Sequence, residues 1–367
     1  MPLWRIMTGD ERMDDPLASL LNLHDFEEVA RQRAQSPLAW HYTAGGSEDG
    51  TSLRANSAAA AQWRLLPRVL RGVASVSTAT ELLGHHLALP VLLAPTGRHG
   101  LAHEDAEIAT ARAAKAAGAI YVMSSVTTIP MEEIAAECGD WWLQLYVFRD
   151  RERTREQILR AAAAGASALV LTIDAQVRGR REAEERAALV MAPPEPAPGG
   201  AMQARSPLAR QIASLFDPTL TWADIEWLTA LAGLPVVVKG LVHPADTAPA
   251  IAHGARAILV SNHGGRQLDG IVAGLDALPA VVEAVGGRVP VLVDGGVRRG
   301  TDILIALALG ARAVLFGRPV HWGLAAGGEA GVRRVLALLQ AELERDLWLC
   351  GCSSPAQVTR DLVVPAR

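Results

Sequence analysis

The chain has 367 residues, half of them hydrophobic and a fifth charged, which suits one large barrel or two ordinary domains around a substantial core. This balance excludes a disordered tail protein, a collagen-like chain and a small disulfide-framed module. A net charge of −4 excludes a nucleic-acid binder that depends on a general basic field, while leaving room for arginine clusters around a small anion.

Residues 1–17, MPLWRIMTGDERMDDPL, lack the uninterrupted apolar run of a signal peptide. An amphipathic stretch predicts a helix over Leu23–Arg33, within an N-terminal helical extension that reaches residue 88. From residue 89 onward, short apolar runs alternate with Ala-, Leu- and Arg-rich helical stretches. The runs are LPVLLAP from Leu89, AIYVMSS from Ala119, WWLQLYV from Trp141, ASALVLTID from Ala166, LPVVVKG from Leu234, ARAILVSNHGG from Ala255, VPVLVDGG from Val289 and ARAVLFGRP from Ala311. Near-continuous hydrophobic runs bounded by Gly or Pro read as parallel strands buried on both faces. Helices are predicted between them, at 105–117, 153–164 and 301–309 among others, and Ala-Gly-Ala at 117–119 and 164–166 marks C-caps.

Eight such units in succession predict an α/β fold, a (β/α)8 TIM barrel over residues 89–367. No run is followed at once by a G-x-G-x-x-G turn, which argues against a doubly wound sheet. A long connection, 175–218, contains MAPPEPAPGGAMQARSP and follows the fourth strand, so it is expected to lie over or near the mouth of the barrel. No segment is a long enough charge-free apolar run to span a bilayer, and a soluble cytoplasmic protein without membrane or nucleic-acid partners is expected. Cys138, Cys350 and Cys352 are odd in number, and Cys-Gly-Cys is not a usual zinc or redox spacing, so reduced structural thiols and no metal are expected.

Chemistry in this fold sits at the C-terminal ends of the strands. Those ends carry Thr96-Gly97, Ser124, Gln144 with Tyr146, Thr172 with Asp174, Lys239, Ser261-Asn262-His263 with Arg266, Asp294-Gly295-Gly296 with Arg298, and Gly317-Arg318. Singly, a Ser, Thr or Asp there is as well explained by a helix cap or a turn. As a set aimed at one rim they are much harder to explain that way. The Gly-Gly turn with Arg298, next to Gly317-Arg318, offers backbone N–H groups and guanidinium groups to a phosphate. His263 could move a proton and Arg266 could grip a carboxylate, with Asp174 orienting the imidazole. Lys239 fits two roles, a fixed cation beside a cofactor or a Schiff-base nucleophile. Lysine occurs only at Lys115 and Lys239, and tyrosine only at Tyr42, Tyr121 and Tyr146. Lys115 reads as a solvated helix residue.

SNHGGRQLDG (261–270) closely resembles the signature of the FMN-dependent 2-hydroxy-acid oxidase and dehydrogenase family. The resemblance runs from DFEEVARQ near residue 25 to the last helix, through AGGSEDG, LLPRVL, LAPTG, QLYVFRD, GRREAE, VVVKG, VDGGVRRGTD and GRPVHWGLAAGGEAGV. It implies the same barrel, bound FMN, oxidation of a 2-hydroxy acid to the 2-oxo acid, and a homo-oligomer, commonly a tetramer. Carried over by position, it implies His263 as the base and Asp174 as its partner, with Tyr146 on the reacting hydroxyl. Tyr42, Arg181 and Arg266 would face the substrate carboxylate. Lys239 would lie beside the flavin, with Ser124, Gln144 and Thr172 on its polar edge. Thr96, Gly97 and Ser261 would lie close by. Asp294 would hold the ribityl chain, and Gly296, Arg298, Gly317 and Arg318 the phosphate.

Two departures matter. Val126 stands where glycolate oxidase has tryptophan, which predicts a roomier pocket and a substrate bulkier than glycolate. Gly97 stands where glycolate oxidase has alanine, resembling mandelate dehydrogenase and predicting a slower reaction of the reduced protein with oxygen. Two other readings stay open: a dehydrogenase that passes electrons to a quinone or protein, and a Schiff-base lyase built on Lys239.

Overall fold

The computed structural model describes residues 16–191 and 215–366, so the N-terminal leader and the middle of the 175–218 connection lie outside the described residues. Three helices come first, α1 (Leu23–Arg33), α2 (Pro37–Ala44) and α3 (Thr51–Ala58). Asn22 opens α1 with a capping box shared with Asp25, and Ser36 caps α2 ahead of a proline at the first turn. Three short strands follow, β1 (Trp63–Leu65), β2 (Thr80–Leu82) and β3 (His85–Leu87). The segment before residue 88 is therefore not wholly helical. Three-residue strands between loops carry too little periodicity to show in the sequence.

The eight apolar runs form the strands β4 (Val91–Leu93), β5 (Tyr121–Met123), β6 (Trp141–Leu145), β7 (Leu169–Thr172), β8 (Val236–Leu241), β9 (Ala255–Val260), β10 (Val291–Asp294) and β11 (Ala313–Phe316). They close into a parallel barrel, with β11 pairing back onto β4. The helices on its outside include α4 (Ala106–Ala116), α5 (Met131–Glu137), α6 (Arg151–Ala163), α7 (Glu182–Met191), α8 (Ala223–Ala232), α9 (Thr247–Ala252), α10 (Gly274–Val285), α11 (Gly300–Ala308) and the long α12 (Arg318–Leu349). Gly118 and Gly165 adopt positive φ where the Ala-Gly-Ala segments turn into strands.

Alternation along each strand divides the core in two. In β5, Tyr121 and Met123 pack outward against the helices, while Val122 joins Leu92, Trp142, Val237 and Leu292 inside the barrel. The interior is thus filled, and Leu82 and Leu87 of the β2–β3 hairpin close its lower end. With that end plugged, a ligand can enter only at the strands' C-terminal rim. A last strand, β12 (Val363–Pro365), returns to pair antiparallel with β1.

Cys138, Cys350 and Cys352 are free, and Lys115 is exposed on α4. Among the described residues no cluster of side chains suits a metal ion, and no helix is long and apolar enough to cross a membrane.

The α12 segment is broken at Gly327 and Gly328, where the chain doubles back on itself. Gly328 (φ 56°, ψ −133°) takes a conformation closed to other residues, and a Cβ on Gly331 would lie 1.9 Å from the Gly323 carbonyl oxygen. This close crossing fixes the short first limb, which carries Arg318 and His321. Gly331→Ala is expected to cost about 1–3 kcal/mol by overpacking, read as a fall in Tm by scanning calorimetry. An unchanged Tm would contradict the crossing.

Candidate active site

The loop after β9 is the most constrained segment of the rim. His263, Gly264 and Gly265 are consecutively left-handed, with φ of 58°, 64° and 72°. Histidine takes this region at a steric cost, so something must hold it there. Asn262 does so: its Oδ1 accepts the Gly265 N–H at 3.1 Å, and its amide exchanges hydrogen bonds with the buried Asn56 of α3 at 2.8 and 2.9 Å. The Ser47 N–H donates to the Gly265 carbonyl at 2.8 Å, and Asp269 receives the first N–H groups of α3. The turn places both His263 and Arg266 at the cavity.

Asp174 follows β7 and meets His263 Nδ1 at 3.0 Å, which leaves Nε2 for a reactant. A bulge in β8 makes room for the carboxylate. The β8–β9 register shifts between Lys239 and Leu241, and a Cβ on Gly240 (φ 107°) would lie 2.6 Å from Asp174 Cγ. The glycine after the strand-end lysine is thus required by the acid–imidazole pair. Burial pushes the His263 imidazole below its ordinary value, against the pull of Asp174 and with Lys239 adding to the depression. Burial alone would raise the Asp174 carboxyl, but His263, Lys239 and its hydrogen bonds outweigh that and hold it low. The pair therefore rests as a neutral imidazole beside a carboxylate.

Polar groups then run along the rim from strand to strand. The Ser124 hydroxyl donates to Gln144 Oε1 at 3.3 Å, and Gln144 Nε2 donates to Thr172 Oγ1 at 3.0 Å. Thr172 pairs in register with Lys239, whose Nζ donates to Ser261 Oγ at 2.9 Å and stands 3.5 Å from Asp294. All are buried, and Asp294 Oδ1 has no partner. Farther along, a Cβ on Gly296 (φ 90°) would lie 1.9 Å from the Asn56 carbonyl oxygen, so that turn admits only glycine. Arg298 and Arg318 are held by backbone carbonyls and form no ion pair among the described residues. Burial, with Arg266 and Arg298 nearby, pushes the Arg318 guanidinium down to about 9. Two half-buried cations without an ion-paired carboxylate favour an anion that would offset their desolvation.

Tyr42, Gly97, Val126, Tyr146, Arg181, His263 and Arg266 line the other half of the same cavity, which encloses about 320 Å³. The Tyr42 hydroxyl donates to the Gly97 carbonyl at 3.3 Å, and the Arg266 guanidinium lies 5.3 Å from the Tyr42 ring. Burial raises the Tyr146 phenol well above its ordinary value, so it stays protonated and can donate. Thr96, Gly317 and the rim groups named above also line this cavity, while Asp174 and Ser261 stand directly behind His263 and Lys239. Each candidate site residue named from the sequence is thus brought to one place.

Several contributors escaped the sequence. Glu184 of α7 is buried and takes Arg266 at 3.0 Å, Arg178 at 2.8 Å and Arg181 at 3.6 Å. Arg266 is therefore partly engaged before any ligand arrives. Phe216, at the return of the 175–218 connection, stacks on Tyr146 with ring centroids 4.5 Å apart. It is pinned by an antiparallel bridge to Phe148, while Arg151 reaches Asp217 at 2.8 Å and Asp224 at 2.7 Å. The described ends of that connection do lie at the cavity mouth, and its first part is helical rather than irregular. His321 is buried with Nδ1 unpartnered, and burial beside His99 keeps it neutral.

The chain is similar to known proteins over nearly its whole length. The model for FMN-dependent dehydrogenases matches residues 30–365. An L-lactate oxidase of Nostoc sp. is 46% identical, the match covering 92% of this chain and 96% of that protein. Glycolate oxidase 1 of Zea mays is 42% identical over 95% and 96% of the two chains. A crystal structure of mandelate oxidase superposes with a TM-score of 0.86 at 40% identity, covering 94% of this chain and 98% of that one, and its complex with benzoyl-formic acid gives 0.84.

An imidazole acts as a base only when neutral, so depression of His263 places its acid limb below the usual histidine value of about 6.5. Asp174 opposes that depression. Asp174→Asn is accordingly expected to lower the rate of substrate oxidation by about 10²-fold or more and to move the acid limb of kcat/KM to still lower pH. A limb displaced to higher pH, or an unaltered rate, would show that the pair has been misread.

Proposed function

Since the chain belongs to the FMN-dependent dehydrogenase family, we propose that it oxidises an L-2-hydroxy acid bulkier than glycolate to the 2-oxo acid, with oxygen as electron acceptor and hydrogen peroxide as co-product. The observation that carries the reading is the His263–Asp174 pair, set beside Arg266 and Tyr146 in the cavity that also holds Lys239. The cavity residues fit FMN. The unpartnered Asp294 Oδ1 suits a ribityl hydroxyl, the half-buried Arg298 and Arg318 suit the phosphate, and Ser124, Gln144, Thr172 and Lys239 suit the polar edge of the ring. Bound FMN supplies the two-electron acceptor for the substrate.

The protein's own part is positioning and charge. Arg181 and Arg266 hold the substrate carboxylate, and the Tyr146 phenol donates to the reacting hydroxyl. His263 Nε2 takes the proton, and Asp174 stabilises the resulting imidazolium. Lys239 keeps a fixed positive charge where negative charge accumulates, in a site dry enough for that charge to count. A Schiff-base role is poorly served, because the ammonium is committed to Ser261 and Asp294. Val126 leaves space for a longer substrate side chain.

Gly97 has a packing reason of its own: a Cβ there would lie 2.6 Å from the Val126 carbonyl oxygen. The glycine is therefore required whichever acceptor is used, and it gives no ground for preferring a quinone or protein over oxygen. The proposal also includes a barrel unit over 89–367 with an extension before it, a cytoplasmic setting and a homotetramer. Assembly and location rest on resemblance alone.

Purified protein should be yellow, and a 2-hydroxy acid should bleach it anaerobically. His263→Ala should keep the colour and lose the bleaching; bleaching at near-normal rate would remove His263 as the base. In kcat/KM comparisons, 2-hydroxyoctanoate or mandelate should exceed glycolate, and a clear preference for glycolate would refute the roomier pocket. On admitting air, the bleached protein should recover its colour with one peroxide per 2-oxo acid. Recovery only on adding a quinone or dye would make it a dehydrogenase instead.

A further inference from the structure

The substrate half of the cavity carries more positive charge than one carboxylate requires. Arg98, Arg178, Arg181 and Arg266 all line it. Glu184 is the carboxylate that Arg178, Arg181 and Arg266 share, and Asp174 is committed to His263. Glu185 acts on Arg178 only at longer range. One substrate carboxylate added to Glu184 would still leave two guanidinium groups unmatched. Isolated cations are costly inside a cavity, so a surplus of this kind needs a ligand to neutralise it.

If Arg181 and Arg266 take the substrate carboxylate, Arg98 and Arg178 are the two arginines left over, Arg178 keeping its 2.8 Å contact with Glu184. Arg98 forms no ion pair among the described residues, and its guanidinium lies 5.8 Å from the Tyr42 ring. Its backbone is held in the left-handed region (φ 58°, ψ 49°), with its N–H donating to the Val126 carbonyl at 3.1 Å. A non-glycine residue kept in that conformation beside the small Val126 carries a local backbone cost. Arg178 lies on the connection after β7, and only a fifth of its side chain is exposed. Burial and the neighbouring Arg181 push its guanidinium below the ordinary value, and Arg98 adds to this. The two arginines therefore repel one another, and Val126, Val177 and Phe216 line the same cavity.

We propose that this cavity takes a 2-hydroxy acid with a second carboxylate at its far end, the first held by Arg181 and Arg266 and the second by Arg98 and Arg178. The inference rests on the 2-hydroxy-acid oxidation proposed above. It sharpens the bulkier-substrate reading: the extra length ends in an anion, with the methylene groups between the two carboxylates lying along the apolar wall.

The test compares (S)-2-hydroxyglutarate with (S)-2-hydroxyhexanoate, a neutral-tailed substrate of similar reach, on the FMN-loaded protein. In parallel, calorimetry measures binding of the products 2-oxoglutarate and 2-oxohexanoate. The dicarboxylate is expected to win by about tenfold or more in both kcat/KM and Kd, and Arg98→Gln/Arg178→Gln is expected to collapse both ratios toward one. Equal or better performance of the neutral-tailed pair overturns the inference. A dicarboxylate preference that survives the double substitution overturns the assignment to these arginines. If no 2-hydroxy acid bleaches the flavin, the underlying activity is wrong, and the calorimetric ratio still decides whether a second anion is recognised.

Discussion

Three successive left-handed residues, His263 to Gly265, are the constraint on which the site depends. They turn the chain sharply enough that His263 and Arg266, three residues apart, face the same cavity. The conformation is unfavourable for histidine and survives because Asn262 ties the turn to Asn56 and to its own Gly265 N–H. Asn56 also presses its carbonyl against Gly296, so one helix of the pre-barrel segment braces both His263 and the Gly295-Gly296 turn. The segment before the barrel is thereby part of the site.

The second organising principle is charge balance in a buried place. Each charged group at the rim is either matched, as His263 is by Asp174 and Lys239 is by Asp294, or left for a ligand to match. Arg298 and Arg318 at one end, and Arg98 at the other, have no ion-pair partner among the described residues. The cofactor phosphate and the substrate would therefore complete the electrostatics of the protein as well as occupy its cavity. Glu184 offsets the mutual repulsion of three arginines and holds their forks in place.

The barrel was legible because each strand is a short aliphatic run between glycine or proline and a helix, a pattern with local meaning. The rim residues were legible because the fold puts every strand end on the same side. What escaped lacked either kind of signal. The β1–β12 pair joins residues three hundred positions apart, and nothing local in a three-residue strand marks its partner. Glu184 is one acid among several in GRREAEER, and only the folded helix shows which of them is buried. Phe216 lies beyond a long proline-rich connection, where sequence distance says nothing about its contact with Tyr146. Gly240 and Gly97 were visible as glycines, but their reasons, the Asp174 carboxylate and the Val126 carbonyl, are tertiary.

The central claim is geometric: one face of His263, kept neutral and oriented by Asp174, meets the carbon-bound hydroxyl of an acid anchored by arginines. A crystal structure of the FMN-loaded protein with a 2-oxo acid tests it most directly. The account predicts the carboxylate on Arg181 and Arg266, and the keto oxygen within hydrogen-bond reach of both His263 Nε2 and the Tyr146 hydroxyl. A carboxylate seated elsewhere, with His263 Nε2 turned away from the keto carbon, would contradict it.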